Sequence, residues 1–234
     1  MTLSDEVREL LRAHTTIVGF ADLRCLPVEV RRGYEVGIVI GLPNTKQAML
    51  LNNEGLPQTY FSEYHRLNEQ LTVLANLTAS FLREKGYDAL AETRASVTYD
   101  TDYRSLLPYK TVATLAGLGW IGKSATLVTR QVGSALRVVV VLTTAELDCG
   151  TPITASRCPS RCTICIDQCP GQAIQGGQWV PGSDRSELVD AQACQAAARS
   201  RAMSLLGVDE TICGLCISHC PFTKRGLVYV SAIG

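Results

Sequence analysis

Eight of the chain's ten cysteines fall between Cys158 and Cys220, in two groups that echo each other. The first reads Cys158-Pro-Ser-Arg-Cys162-Thr-Ile-Cys165-Ile-Asp-Gln-Cys169-Pro170. The second reads Cys213-Gly-Leu-Cys216-Ile-Ser-His-Cys220-Pro221, with Cys194 standing upstream. Both close on Cys-x-x-Cys-x-x-x-Cys-Pro. Thiols repeated in one register must converge on a common partner, and that requirement constrains the fold more than any other feature of the chain.

The spacing names the partner. It is the run with which bacterial ferredoxins hold four-iron clusters, one thiolate to each iron, the last cysteine of each run crossing to the other cluster. On that logic Cys158, Cys162, Cys165 and Cys220 form one ligand set, and Cys169, Cys194, Cys213 and Cys216 the other. The proline behind each crossing cysteine removes a backbone donor and turns the chain away. The gap from Cys158 to Cys162 is one residue longer than in the ferredoxin run, so Cys149 stands as a reserve ligand for the first cluster. A disulfide framework belongs to small secreted chains, and the N-terminus here does not resemble a signal peptide. Structural zinc uses Cys-x-x-Cys pairs but calls for no doubled triplet with a crossing cysteine. The expected cofactors are two [4Fe-4S] clusters, and thiolates kept reduced imply the cytoplasm.

Twenty-two basic and twenty-two acidic residues cancel across the 234 positions, leaving no electrostatic footprint for a nucleic acid or an anionic membrane. The longest purely apolar run, residues 138–142, is far too short to span a bilayer. Hydrophobic residues make up 46% of the chain, enough for a substantial core.

In order, Ser4 with Asp5 and Glu6 reads as a helix start. Residues 17–23 read as a short strand, and Cys25 as a lone buried thiol. Arg31-Arg32-Gly33 reads as a solvated turn, and residues 34–42 as an inner strand. A long helix follows, with Phe61, Tyr64, Leu67, Leu71, Leu74, Ala75, Thr78, Phe81 and Leu82 on one stripe and His65 off it, exposed. Residues 125–129 and 136–143 are β-branched runs joined through Gly133-Ser134, the pattern of a hairpin. Composition shifts after Leu147 from Val-rich to Cys-, Gly- and Pro-rich. The expected fold is α+β: an N-terminal α/β domain with a mixed sheet over residues 1–148, then a ferredoxin-like domain holding both clusters over 149–234.

Gly117-Leu-Gly-Trp-Ile-Gly-Lys-Ser124 satisfies both G-x-G-x-x-G and the P-loop pattern, yet each needs a strand before and a helix after. The expected order here is the reverse, which excludes a phosphate cradle. The remaining readings are a turn that needs glycine, with Trp120 as a core anchor, or a backbone surface pressed against a flat ligand, with Lys123 at its polar edge.

Ala116-Gly-Leu-Gly-Trp-Ile-Gly-Lys123, the β-rich stretch behind it and the paired cysteine motifs with Cys169-Pro-Gly-Gln-Ala-Ile174 resemble the epoxyqueuosine reductase family, over roughly residues 60–222. That resemblance implies relatives among corrinoid-dependent reductive dehalogenases, a cobalamin held by an α/β domain, and a two-cluster domain that passes it electrons. It would place Gly117, Gly119, Trp120, Gly122 and Lys123 near the corrinoid. It implies an electron donor such as a ferredoxin or flavodoxin, and a corrinoid or corrinoid protein as partner; the cancelled charge and the lack of a spanning run leave neither nucleic acid nor membrane expected. The family carries a C-terminal helical extension that helps hold tRNA, whereas this sequence stops soon after its second motif. The family's acid, in an Asp-x-x-Pro stretch, is replaced here by Leu106-Leu107-Pro108-Tyr109-Lys110. Asp100 and Asp102 are out of register, and Tyr103 and Tyr109 are the nearest alternative proton donors. Two functions follow: a corrinoid-dependent reductase or corrinoid-reducing protein, or a ferredoxin-like electron carrier without a substrate of its own.

Overall fold

A computed structural model describes residues 1–15, 17–50, 57–97, 99–101 and 103–230. By packing, these divide into two units that interleave along the chain. The first gathers Met1–Leu42, Arg66–Leu118 and Arg137–Ile153, and the second Pro43–His65, Gly119–Leu136 and Thr154–Gly234. The composition shift after Leu147 lies close to the end of the first unit's last segment. Two earlier segments pack with the C-terminal part.

The first unit is built on a four-stranded sheet of order β1-β2-β6-β3, from β1 (Ile17–Asp22), β2 (Val36–Pro43), β3 (Ala89–Glu92) and β6 (Leu136–Thr143). β1 pairs antiparallel with β2, Ile17 opposite Gly41, and β3 antiparallel with β6, Ala89 opposite Thr143. The two longest apolar runs, β2 and β6, occupy the middle, where both faces of a strand are covered.

Helix α1 (Leu3–Leu11) is capped two residues earlier than the sequence suggests. Thr2 accepts from the Asp5 amide and Asp5 accepts from the Thr2 amide, a reciprocal box. Ser4 instead accepts a hydrogen bond from the Asp148 amide at 2.7 Å. Helix α2 (Gln58–Glu84) carries the long stripe, and its two ends serve different cores. Leu67, Leu71, Leu74, Ala75, Ala79 and Leu82 close on Phe20, Ile38, Ile40 and Val141 in the first unit. Tyr60, Phe61 and Tyr64 join Ile212, Leu215 and Leu227 in the second.

The expected hairpin between residues 125–129 and 136–143 does not form. Instead β4 (Gly119–Ile121) pairs antiparallel with β5 (Leu127–Thr129) across the glycine turn, Trp120 opposite Val128, and β6 leaves for the other sheet. Gly133 is a contact residue as well as a bend. At φ +59° a Cβ there would lie 2.2 Å from the Thr223 amide nitrogen, so only glycine admits that approach.

The second unit also carries the helices α4 (Ile164–Asp167), α5 (Ala191–Leu206), α6 (Leu215–Ser218) and α7 (Pro221–Val230), joined by long irregular segments. Among the described residues, no helix is long and apolar enough to cross a membrane.

Candidate metal centre

Each Cys-x-x-Cys turn leads directly into a single turn of helix, so Cys165 lies in α4 and Cys216 in α6, and these two short helices pack together. Pro221 opens α7 immediately behind Cys220, at the helix position where no N–H is needed. Cys194 sits in the first turn of α5, whose cap Asp190 accepts from the Ala193 amide at 2.9 Å.

The thiols gather into two neighbourhoods that cross between the motifs. Burial pushes the Cys165 thiol up to about 11, and Cys158, Cys162 and Cys220 add to that shift. The Cys220 thiol is raised by burial, again with Cys158 and Cys162 beside it. Burial also raises Cys194, next to Cys169 and Cys213, and Cys213, next to Cys169. Cys216, the most enclosed, is driven up by burial and then by Cys213, Cys194, Cys165 and Cys169. Cys220 of the second motif thus keeps company with the first motif's triplet, and Cys169 of the first with the second's.

A cavity of about 110 Å³ opens among Cys158, Cys162, Cys165, Cys216 and Cys220, walled by Gly122, Lys123, Val128 and Phe222. Sites for organic ligands run to ~300–1,000 Å³, so this space suits a compact inorganic group and not a flat macrocycle. The donor chemistry agrees. Thiols buried this close together resist ionising unless a cation compensates, and metal binding supplies one. Among the described residues, no three Cys, His, Asp or Glu side chains converge as ligands of one ion would.

The other two cysteines belong to the first unit. Cys149 lies beside Asp22 and Arg24, its thiol raised by burial and by the Asp22 charge against the pull of Arg24. Cys25 is exposed, contrary to the expected buried thiol: strand β1 ends at Asp22, and the chain is already in a surface turn.

The glycine turn is preceded by helix α3 (Tyr109–Leu115) and followed by strand, as the sequence order requires. Gly117 has φ +72°, and a Cβ there would meet the Thr151 carbonyl at 2.7 Å. A Cβ on Gly119 would stand 2.2 Å from the Val128 carbonyl across the hairpin. Trp120 is 1% exposed, meets Phe222 edge to face at 4.9 Å and offers no open ring face. Internal packing therefore accounts for Gly117, Gly119 and Trp120. Gly122 and Lys123 face the cysteine cavity, and the Lys123 ammonium donates to the carbonyls of Ser160 at 2.7 Å and Cys162 at 3.0 Å.

In the stretch Leu106-Leu107-Pro108-Tyr109-Lys110, Pro108 caps α3, and the Tyr109 hydroxyl donates to the Glu92 carbonyl at 2.5 Å. Burial raises the Tyr109 phenol, and the Glu92 carboxylate adds to it. Tyr103 is exposed at φ +57°. The Asp100 carboxylate accepts from the Arg104 amide, and Asp102 lies outside the described residues. Sequence reasoning missed one charged feature. Arg32, expected in a solvated turn, pairs through Nε with the buried Glu92 Oε1 at 3.1 Å. His65, expected to be exposed, lies 3.1 Å through Nε2 from Glu210 and stacks edge-on to Phe61.

No family model matches the chain. An epoxyqueuosine reductase of Gloeobacter violaceus is 34% identical over 128 residues, covering 50% of this chain and 36% of that protein. By fold, an epoxyqueuosine reductase from Bacillus subtilis superposes with a TM-score of 0.62 at 17% identity, over 95% of this chain and 65% of its own. A catabolic reductive dehalogenase in complex with 3-bromo-4-hydroxybenzoic acid superposes at 0.70 and 18% identity, over 96% of this chain and 33% of its own. The match thus spans about a third of that curated relative's length. The chain is related to the epoxyqueuosine reductases by sequence, and to both them and the reductive dehalogenases by fold.

Proposed function

We propose that the second unit holds two four-iron clusters and serves as the electron-delivering part of an oxidoreductase. The supporting observation is the cavity where Cys220 joins Cys158, Cys162 and Cys165, with Cys216 also on its wall; the first four are a set that no contiguous motif supplies and that the crossing rule requires. Cys169, Cys194, Cys213 and Cys216 hold the second cluster. When bound, the clusters supply one-electron transfer at low potential. The protein's own contribution is to bury them, to exclude water with Val128 and Phe222, and to set their electrostatic surroundings.

The acceptor we propose is a corrinoid, held by this chain or by a partner protein, with a ferredoxin or flavodoxin as donor. A related epoxyqueuosine reductase has been crystallised with a tRNA stem loop, but the cancelled charge here favours a substrate other than nucleic acid. The region of the missing acid favours the second reading, an electron carrier with no substrate of its own. Tyr109, the enclosed candidate donor, commits its proton to a backbone carbonyl.

Anaerobic reconstitution followed by cobalamin titration separates the two readings. A cobalamin spectral change on reduction, without a second protein, supports corrinoid reduction. Intact clusters that leave the cobalamin spectrum unchanged leave only the carrier.

A further inference from the structure

Lys123 is 5% exposed, yet among the described residues its ammonium has no carboxylate partner. A buried ammonium without a counter-charge is costly to keep. Two of its three N–H donors go to the Ser160 and Cys162 carbonyls, within the loop that carries the first cysteine set. The same side chain lines the cavity among Cys158, Cys162, Cys165 and Cys220, and the other cation on that wall, Arg225, is exposed and stacked on Phe222 at 4.6 Å. The wall carries no carboxylate.

We infer that Lys123 is the buried counter-cation of the first cluster, fixing its cysteine loop and raising its reduction potential. The inference rests on the two-cluster reading. Four thiolates outweigh the charge of a cubane core, so the ligated cluster is the anion that this ammonium otherwise lacks. Reduction adds one electron, taken in the test from dithionite, with no proton and no bond made or broken. Each added negative charge is stabilised by a fixed cation in a water-poor pocket. Lys123 is thus a positioning and tuning residue, and the phosphate-loop lysine of the sequence pattern has become a cluster lysine.

The test is an anaerobic redox titration of the reconstituted full chain, followed by electron paramagnetic resonance and iron analysis. The first cluster's signal is identified as the one lost in Cys158→Ser. In Lys123→Gln, which keeps a donor for the carbonyls but drops the charge, iron stays complete. The first midpoint falls at least tenfold in equilibrium constant, about 59 mV for one electron, while the second stays put. Lys123→Arg keeps the wild-type value. Full iron with both midpoints unmoved in Lys123→Gln overturns the inference while leaving the two clusters intact, whereas wild-type iron near half the full complement defeats the two-cluster reading itself. Should Lys123→Gln lose iron, Lys123→Arg decides: full iron with a wild-type first midpoint supports the counter-cation, and iron lost there as well, or a shifted first midpoint, overturns it.

Discussion

Arg32 and Glu92 form an ion pair at 3.1 Å in which the carboxylate is 2% exposed and the guanidinium about a third exposed. Arg32 takes this position at φ +52°, a backbone angle that non-glycine residues adopt only when held. Removing one partner of such a pair leaves a buried charge uncompensated, at a cost of about 3–5 kcal/mol. Because Arg32 is partly solvated, the expected loss for Arg32→Ala lies near the lower figure, measured by urea unfolding.

The same pair sets a pH dependence. Burial raises the Glu92 carboxyl above the usual range, outweighing the pull of Arg32. The unfolded chain titrates this group near ~4.3, so between that value and the higher folded one the native state binds the proton more tightly. The contribution to stability is therefore complete below the unfolded value and is lost as pH rises through the folded one. Urea melts across that window should show a slope that Glu92→Gln abolishes and Arg32→Ala steepens. Equal slopes in all three proteins would clear Glu92 of this role.

The crossing of the two motifs makes a claim about distant pairs. Reconstituted wild-type protein should carry about eight irons and eight sulfides. Cys169→Ser should damage the cluster of Cys213 and Cys216 while sparing its sequence neighbours Cys162 and Cys165. Loss of the first cluster's resonance in that variant would reverse the assignment.

Cys149 and Cys25 belong to the first unit and should be dispensable for iron. Serine at either position is expected to leave both cluster signals at wild-type intensity. Iron lost in Cys149→Ser but kept in Cys158→Ser would exchange their roles.

Gly119 separates packing from ligand contact. A Cβ there meets the Val128 carbonyl at 2.2 Å, so Gly119→Ala should destabilise the hairpin by about 1–3 kcal/mol with no ligand present. An unchanged melting temperature would restore this glycine to the ligand-facing reading.

The grouping of the thiols was legible because the motif is local: Cys162 and Cys165, like Cys213 and Cys216, stand at the close spacing that a cubane corner asks of its ligands. The inner strand ending near Pro43 and the stripe from Phe61 to Leu82 were equally plain, since burial imposes a period. Pairing was less so. Gly133-Ser134 looked like a hairpin turn, but the glycine answers to Thr223, ninety positions along the chain. Gly119 opens a strand although glycine weakens strands, because the opposing carbonyl leaves no room for anything larger. Arg32 and Glu92 lie sixty residues apart, and no spacing rule joins them. Lys123 carried a phosphate-binding signature whose letters fit and whose setting did not.

The interleaving of the two units has a consequence for how this protein can be made and cut. Ile212, just before the second motif, and Leu215, within it, are buried together with Met49, Tyr60 and Ala135. A fragment cloned from Cys149 onward would leave those partners behind and present a bare apolar face beside its cysteines. Maturation inherits the same order of events: the ribosome must deliver the early segments before the last thiols have a finished wall to close against. Folding of the early segments and of the cysteine-rich region is therefore one assembly process, and that region cannot be treated as a removable cassette.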